Sequence, residues 1–489
     1  MGIKRNIVYT SILTTSNYLF PLLVYPYVAR VLGVTNMGLC NFVDNIINYF
    51  ILFSMMGINI MGNRQIAIDK ANGLSLIPSF SSLFTLNAIT TSIALGLLIL
   101  CIYTIPELRE NEQMMWYGSI KLIGNFMLVE WFYKGLEDFK YITYRTIFVK
   151  CLYVISIFVF IHTENDYARY YLLTVLMVAV NAIINTVHTR KYTKISFSVI
   201  QFKDIIKPFL MLGVYMLVTS LCTTFNVVYL GFSTNDTQVG YYTTAIKLYT
   251  ILLAFFTGVT SVMLPRMSSL LSQNKLEQFK GLLQKTTQML LAFSIPAIIF
   301  AIIFSPQIIM LLSGPGYEGA ITPMRIVMPM ILIIGLSQIC VIQGLMPLKA
   351  DKIIMINSSV GATVSVILNV LLIHSLMSVG SAIVWVTSQT TILILSQRAL
   401  YKRTGISFSI SKLVNSFLAY TPLAILLLLI YLNFNKLPYW VSLIIAGGLT
   451  GIYTFCLQYY IYNNPLLVDF INKILRRFGK SRIITDNKT

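Results

Sequence analysis

Long runs of apolar residues alternate with short polar segments along this whole chain. Each run has about 20 residues, the length that a helix needs to cross the ~30 Å hydrocarbon core of a bilayer. The runs do not alternate at period two, so the strands of a membrane barrel are not predicted. The pattern predicts an all-α membrane protein with 14 transmembrane helices. The predicted spans are 7–31, 39–61, 79–102, 114–135, 146–162, 168–188, 208–231, 240–265, 285–311, 321–346, 354–374, 379–399, 415–433 and 439–462.

One part of this pattern, from Phe20 to Ala67, returns about two hundred residues later. In both copies an apolar run ends, a turn leads to a glycine, and a second apolar run ends at an arginine. Gly38 and Gly240 are 202 residues apart, and so are Arg64 and Arg266. The turn before the glycine is four residues long in the first copy and eight in the second. A repeat of this length predicts two pseudo-equivalent halves, as in many transporters.

The duplication divides the chain into two pseudo-symmetric six-helix lobes, related by an axis along the membrane normal, plus two extra C-terminal helices. The linker between the lobes is basic and partly amphipathic, which favours a helix on the membrane surface. The predicted segments are the first lobe at 1–188, the cytoplasmic linker at 189–207, the second lobe at 208–402, helices 13 and 14 at 403–462, and a cytoplasmic tail at 463–489.

The composition supports a membrane protein and fixes its orientation. The chain is 56% hydrophobic and 11% charged, whereas soluble domains carry roughly 25% charged residues. Most of the 36 lysines and arginines fall on the side that holds both termini, so both termini are predicted to be cytoplasmic. This distribution explains the net charge of +19 through anionic membrane lipid, without nucleic acid. The basic residues on the opposite side are Arg30, Arg109, Arg169, Arg325 and Lys436.

Motifs for catalysis and metal binding are absent from the sequence. The six cysteines lie in apolar runs without CxxC spacing, and there is no Walker loop, HExxH motif or nucleophile elbow. We therefore predict a protein that is not an enzyme and has no metal or cofactor. Active transport by such a chain would need coupling to H⁺ or Na⁺.

Polar side chains follow one face of helix 1 and one face of helix 7, the equivalent helices of the two repeats. Hydrogen bonds between helices would explain either stripe alone. Their presence in equivalent helices favours a central water-filled cavity. The stripes are Thr10, Thr14, Asn17 and Pro21 in helix 1, and Tyr215, Thr219, Thr223 and Asn226 in helix 7.

Two acidic residues lie within predicted spans and are candidates for ion coupling, because buried charge is costly in a membrane. Asp44 is in helix 2, on the same face as Asn48. Glu130 is near the inner end of helix 4 and four residues before Lys134, a spacing that also allows a simple ion pair within the helix.

Four basic residues are candidates for binding an anionic substrate. Lys247 lies in helix 8, where its side chain is also close enough to the surface to snorkel. Arg64 and Arg266 are equivalent in the repeat, although the positive-inside rule alone would place arginine there. Arg30 runs against that rule.

Several motifs resemble the polysaccharide flippases of the multidrug/oligosaccharidyl-lipid/polysaccharide (MOP) superfamily. The stretch Pro26–Gly38 is similar to their first helical hairpin, and Ala245–Lys247 and Leu264–Arg266 are similar to their helix 8. The stretch Trp131–Glu137 resembles the exit of helix 4 in O-antigen flippases of the Wzx type, and Gln343–Leu345 echoes it in the second repeat.

This resemblance implies a V-shaped protein that works by alternating access in the bacterial inner membrane. Its substrate would be an undecaprenyl-diphosphate-linked oligosaccharide, moved to the outer leaflet for O-antigen or capsule synthesis with a polysaccharide polymerase and a chain-length regulator as partners. A diphosphate needs fixed positive charge and hydrogen-bond donors to leave water. The residues predicted to supply them are Arg30, Arg64, Lys247, Arg266, Asn17 and Asn226.

Three alternatives remain open at this point. A multidrug or cation antiporter of the same superfamily would need carboxylates in its cavity. A lipid II-type flippase would also use arginines at the positions of Arg30 and Arg64. A scaffold for glycan-synthesis enzymes would transport nothing, and would leave the repeat and the polar stripes without a purpose.

Overall fold

All regular secondary structure in the part of the chain that the structure describes is helical. The computed structural model describes residues 3–433 and 438–462. In hydrocarbon each backbone amide and carbonyl group must be paired within its own segment, which is why apolar runs of this length form helices. The predicted all-α class is thus confirmed for these ranges. The predicted tail at 463–489 and Lys436 lie outside the described residues.

The first half of the chain forms eight α-helices, separated by short turns. A 3₁₀ turn at Glu164–Asp166 precedes the last of them. The helices are α1 (Ile3–Met55), α2 (Ile58–Ala71), α3 (Ile77–Thr104), α4 (Pro106–Glu110), α5 (Glu112–Leu128), α6 (Glu130–Gly135), α7 (Phe139–Phe160) and α8 (Tyr167–Thr189).

The second half begins after the basic linker. The surface helix predicted in that linker is wrong, because the linker contains only a 3₁₀ turn at Phe197–Val199 and α9 already begins at Lys203. A π-helix at Ile339–Leu345 follows α15, a second at Leu457–Ile461 follows α19, and a 3₁₀ turn at Glu318–Ala320 precedes α14. The α-helices are α9 (Lys203–Ser220), α10 (Thr224–Ser233), α11 (Asp236–Ser272), α12 (Leu276–Ile303), α13 (Ser305–Ser313), α14 (Ile321–Val327), α15 (Met330–Gln338), α16 (Asp351–Thr404), α17 (Ile410–Ala419), α18 (Thr421–Asn433) and α19 (Tyr439–Cys456).

Two of these helices are too long to be single membrane spans. α1 has 53 residues and α16 has 54, so at 1.5 Å per residue each would be about 80 Å long. One residue outside the helical conformation divides each of them: Gly33 (φ 75°, ψ 169°) in α1 and Met377 (φ 50°, ψ −126°) in α16. Each therefore contains two helices, and the breaks fall where the sequence predicts a turn.

The protein is a multi-pass membrane protein. Among the described residues, nine helical stretches are long and apolar enough to cross a membrane. The pair α9 and α10, which is bent by 52° at its break, makes a tenth. Helices α1 and α16 are each counted once in these numbers.

The predicted lengths of the two hairpin turns are wrong. Gly33 alone interrupts α1, and only Thr234 and Asn235 separate α10 from α11. The second helix of each copy thus starts earlier than predicted, at Val34 and at Asp236, because polar residues assigned to the turns form the first helical turn. Polar residues are favoured at the start of a helix. Asn235, the N-cap of α11, accepts a hydrogen bond from the backbone N–H of Gln238 at 3.1 Å.

The two hairpins contact each other along their glycines. Thr35 and Thr237, which are 202 residues apart, share a hydrogen bond of 2.9 Å between their hydroxyl groups. A Cβ atom on Gly38 would overlap the carbonyl oxygen of Asp236, and one on Gly240 would overlap that of Val34. The contact is reciprocal, since each glycine faces the residue four positions before the other. We call it the seam, formed by Val34, Thr35, Gly38, Asp236, Thr237 and Gly240.

The aromatic motif at Trp131–Glu137 is a packing element. Its Trp131, Phe132 and Tyr133 are almost completely buried. The first two pack against Phe80 of α3, and Tyr133 packs against Tyr141 of α7 and His188 of α8. Gly62 lies directly against the indole of Trp131, so α2 approaches α6 at a distance that no larger residue would allow. The motif therefore joins α6 to the helices that pack around it.

Candidate functional site

A cavity of about 400 Å³ lies between α1 and the helices that begin the second half. This volume is within the ~300–1,000 Å³ typical of small-molecule sites. Both parts of α1 contribute to its wall, as do α10 and α11. Of the two predicted polar stripes, Asn17, Pro21 and Thr223 line it. None of the described residues that line it is acidic. Its polar wall includes Asn17, Asn41, Asn45, Thr223, Thr224 and Lys247.

The asparagines present different atoms to this cavity. The Nδ2 atoms of Asn41 and Asn45 donate to the backbone oxygens of Met37 (2.6 Å) and Asn41 (2.8 Å). Their Oδ1 atoms are left as acceptors. In Asn17 the Oδ1 atom is the one in use, because it accepts from the Lys150 Nζ at 2.5 Å, and Nδ2 is left as a donor. The wall thus offers both donors and acceptors, which hydroxyl-rich ligands need.

Lys247 is the basic residue of the cavity wall. Its side chain is half-buried, and Nζ lies 5.2 Å from the centre of the Tyr25 ring, a cation–π distance. Tyr25 is fixed in turn by a 2.6 Å hydrogen bond between its hydroxyl group and that of Thr244. Within the described ranges no carboxylate forms an ion pair with Lys247. An anion in the cavity would therefore meet an uncompensated positive charge.

Asn226 is buried behind the wall. Its Nδ2 donates to the Tyr242 hydroxyl at 2.9 Å and to the Ser381 backbone oxygen at 2.8 Å. The sequence placed it in one stripe with Thr223, but the helix is interrupted between Ser220 and Thr224. This break changes the rotation of the helix, so only Thr223 of that pair reaches the cavity.

Arg30 caps another helix at one end of the molecule. Its guanidinium donates to the backbone oxygens of Pro26 at 2.9 Å, Leu311 at 2.6 Å and Met310 at 3.4 Å. The last two carbonyls belong to the final turn of α13, where a positive charge is favourable. This contact gives the arginine a structural role at this position.

Arg64 and Arg266 lie away from the cavity wall. Both side chains are exposed, on α2 and on the second half of α11. Neither forms an ion pair within the part of the chain that the structure describes. The structure thus leaves them free to attract anions, but does not bring them to the site of Lys247.

Asp44 forms an ion pair that the sequence did not reveal. Its Oδ1 lies 2.6 Å from the Nζ of Lys121 on α5, and Oδ2 accepts from Asn48 at 3.2 Å. Lys121 also donates to the Asn48 Oδ1 at 3.0 Å. The predicted common face of Asp44 and Asn48 is confirmed, but the carboxylate is already neutralised by a partner helix.

Glu130 is paired twice. The predicted ion pair with Lys134 is present at 3.2 Å, and Arg145 of α7 lies at the same distance from the other carboxylate oxygen. Arg145 is almost fully buried, so this pair links α6 to α7 inside the protein. The predicted span begins at residue 146 and leaves Arg145 in a loop. In the structure α7 already begins at Phe139, so Arg145 lies within the helix.

Lys150 is a buried cation that the sequence analysis passed over. Its side chain is enclosed by α1, where Nζ donates to Asn17 at 2.5 Å and to the Ser16 hydroxyl at 3.4 Å, and lies 5.7 Å from the centre of the Phe20 ring. None of the described carboxylates pairs with it. Its position within a predicted span was the available signal, since such residues are functional candidates by default.

Metal binding finds no support among the described residues, which contain no group of three or more His, Cys, Asp and Glu side chains able to hold an ion. The six cysteines are free, with Cys40, Cys222 and Cys340 buried.

Two bacterial proteins with the name "Putative O-antigen transporter" are similar to this chain. The one from Escherichia coli (strain K12) is 26% identical over 348 residues, which are 70% of this chain and 83% of that protein. The one from Shigella dysenteriae is 26% identical over 277 residues, or 55% of this chain and 68% of that protein.

Solved structures of MOP transporters share the fold. The lipid II flippase MurJ, in an inward closed conformation, superposes with a TM-score of 0.71 at 15% identity, over 97% of this chain and 100% of MurJ. An inward-facing multidrug resistance transporter of the MATE family gives a TM-score of 0.65 at 14% identity, over 82% of this chain and 98% of that one.

A family profile matches the first part of the chain. It carries the description "Polysaccharide biosynthesis protein" and matches residues 3–271, which include the cavity residues of α1, α10 and α11. This match spans more than half of the 489 residues. The chain therefore belongs to the polysaccharide biosynthesis protein family and has the fold of the MOP transporters.

Proposed function

We propose that the protein is a flippase for an undecaprenyl-diphosphate-linked oligosaccharide. It would move this repeat unit from the inner to the outer leaflet of the bacterial plasma membrane, for O-antigen or capsule synthesis. The observation that carries the proposal is the central cavity, where Lys247 stands without an acidic partner among amide and hydroxyl groups. The names of the two bacterial relatives support the same substrate class.

The chemistry of the cavity matches both parts of such a head group. A diphosphate needs positive charge and donors, which Lys247 and the amide group of Asn17 provide. Sugar hydroxyls both donate and accept, which suits the acceptor atoms of Asn41 and Asn45. The polyprenyl tail can stay in the lipid, because a hydrocarbon chain needs no polar partner to cross the membrane core.

The two alternatives of other classes fit less well. A cation antiporter would need a free carboxylate in the cavity, but none of the described residues that line it is acidic. A scaffold would need no cavity with a lone cation. Lipid II and O-antigen precursors share the polyprenyl diphosphate, so depletion of the protein decides between them by which lipid-linked glycan accumulates on the inner leaflet.

The proposal includes 14 transmembrane helices in two six-helix lobes, at 1–188 and 208–402, with helices 13 and 14 appended. Support comes from the breaks in α1 and α16, which divide them into two helices each. Helices α5 and α6 together occupy one more predicted span, and α11 occupies another. The reciprocal contacts of the seam support the pseudo-symmetry.

Alternating access would then require the seam to separate. The seam and the contact of Arg30 with α13 hold the two halves together at the end of the molecule that we assign to the outside. In this state the substrate would enter from the cytoplasm, where the exposed Arg64 and Arg266 are proposed to attract the diphosphate first. Arg30 would become available to it when the seam opens. Partner enzymes such as the polymerase and the chain-length regulator would act on the exported product.

The orientation can be tested with single cysteines in a cysteine-free background. Cysteine at the exposed Ser272 should be protected from a membrane-impermeant thiol reagent in intact cells, whereas cysteine at the exposed Glu110 should be labelled. Permeabilised cells give the control, since both positions should then react. Equal labelling of both in intact cells would refute the proposed topology. Ser196 and Asn435, which lies outside the described residues, extend the test to two further loops.

Replacement of Lys247 tests the function itself. Lys247→Ala should lower surface polysaccharide at least tenfold at near-normal protein abundance, because the cavity loses its unpaired cation. Lys247→Glu should be worse, since it repels the diphosphate, and Lys247→Arg should retain part of the activity. Lys402→Ala, at an exposed position of α16, is the matched control. Normal export by Lys247→Ala and Lys247→Glu would exclude the cavity as the substrate site.

Ion coupling remains a part of this proposal. Asp44 is the residue we assign to H⁺ or Na⁺ coupling, because it lies on α1 close to the cavity residues Asn41 and Asn45, and pairs there with Lys121 of α5. Glu130, the second candidate, is held by Lys134 and by the buried Arg145, an arrangement that favours a structural role.

A further inference from the structure

The buried cation of α7 contacts one residue of the cavity wall. Lys150 does not itself line the cavity, whereas Asn17, its nearest partner, does. Ser16, the second partner, donates its own hydroxyl hydrogen to the Leu13 backbone oxygen at 2.7 Å, so it can only accept from Lys150. All the polar contacts of the lysine thus end on α1, on the side of the cavity.

This contact decides which end of the Asn17 amide faces a ligand. An asparagine side chain carries an acceptor oxygen and a donor NH₂ group, and it can present either one. In Asn17 the oxygen is engaged by an ammonium group, which is always a donor. Nδ2 has no partner among the described residues, so its two hydrogens are available to the cavity.

We propose that Lys150 is a positioning residue of the cavity, which holds Asn17 as a hydrogen-bond donor towards an anionic oxygen of the substrate diphosphate. This inference rests on the proposed function. Lys150 and Lys247 come from different halves of the chain and neither is paired with a described carboxylate. The positive charge behind Asn17 also polarises its amide, which strengthens the donor.

Substitutions at Lys150 distinguish its role in orienting the Asn17 amide from the role of its positive charge. Lys150→Met keeps most of the buried stem but releases the amide, and we expect roughly tenfold less export per molecule, the cost of one hydrogen bond to a charged oxygen. Lys150→Gln has an NH₂ group that can still donate to Asn17, so it should export several times better than Lys150→Met. Lys150→Arg should be similar to or better than Lys150→Gln.

Substitution of Asn17 tests whether Lys150 acts through it. In an Asn17→Ala background, Lys150→Met should cause little further loss, because the group that it orients is gone. Asn17→Asp should keep normal abundance, since it forms an ion pair with Lys150. It should nevertheless lose export, since it offers an acceptor and a negative charge to the diphosphate.

The readout is surface polysaccharide divided by protein abundance in cells, with Lys247→Ala as the reference. If Lys247→Ala impairs export while Lys150→Met and Asn17→Asp export normally, the positioning role is wrong and the proposed function stands. If Lys150→Gln is as poor as Lys150→Met while Lys150→Arg works, charge rather than orientation is required, which also overturns the proposal. If Lys247→Ala exports normally, the proposed site itself is wrong. If Lys150→Met does not accumulate, Lys150→Gln and the two Asn17 variants test the positioning role instead.

Discussion

Cells that carry Gly38→Leu are expected to contain little of this protein and to export almost no glycan. At the seam Gly38 packs directly against the carbonyl oxygen of Asp236. A Cβ atom at this position would overlap that oxygen. A backbone atom cannot rotate away as a side chain can, so the helices must separate. We expect a loss of about 3 kcal/mol or more in stability, at the upper end of overpacking effects. Immunoblotting of membranes measures the abundance.

Comparison with other glycines makes this prediction specific. Gly240→Leu should behave like Gly38→Leu, because its Cβ would overlap the carbonyl oxygen of Val34. Neither glycine has a positive φ, so the cause is crowding and not backbone strain. Gly96→Leu is the matched control, since this glycine is exposed on α3 with no atom within 4 Å of its Cβ position. Normal abundance of Gly38→Leu together with lost export would show that the seam serves movement rather than folding.

Removal of Lys121 is expected to have the second large effect. Lys121→Met leaves Asp44 without its counter-charge, with only 29% of the carboxylate side chain exposed. Removing one partner of a buried ion pair lowers the stability by ~3–5 kcal/mol, and the partial exposure of this pair places it near the lower end of that range. Abundance should fall severalfold. The double variant Asp44→Asn/Lys121→Met should recover it, because neither partner is then left charged.

The double variant also decides the role of Asp44. If Asp44 couples transport to an ion, the double variant will accumulate normally but fail to export. If the pair only holds α1 to α5, export will return together with abundance. Lys280→Met is the control, because its partner Glu277 is 85% exposed and such pairs contribute at most ~1 kcal/mol. No drop in abundance for Lys121→Met would mean that the pair contributes nothing to folding.

The features that the sequence predicted correctly are those that depend on local composition. Apolar runs of sufficient length form helices in a bilayer whatever surrounds them, and the breaks near Gly33 and Met377 fall between predicted spans. Other breaks were not predicted. Val129 separates α5 from α6 with a φ of 37°, a conformation that valine does not favour, so the surrounding packing imposes it.

The partners of the charged residues were also not predictable from local composition. The sequence flagged Asp44 and Glu130, but it could not show that Lys121 and Arg145 face them, because such pairing depends on how each helix is rotated about its axis. Arg30 was flagged for its unusual side of the membrane, and its reason is a helix end 281 residues further along the chain. Lys150 stands within a predicted span, but its contact with Asn17 could not be predicted, since Asn17 lies on another helix.

The reciprocal geometry of the seam has a consequence for the ancestry of the chain. In a homodimer with two-fold symmetry, a residue close to the axis meets its own copy, and every other contact occurs twice. The threonine pair and the two glycine contacts have this form within a single polypeptide. We infer that the ancestor was a half-length protein that self-associated, and that gene fusion preserved its dimer interface. After fusion each side could change independently, so Val34 and Asp236 now differ, whereas the backbone contact still requires glycine on both sides.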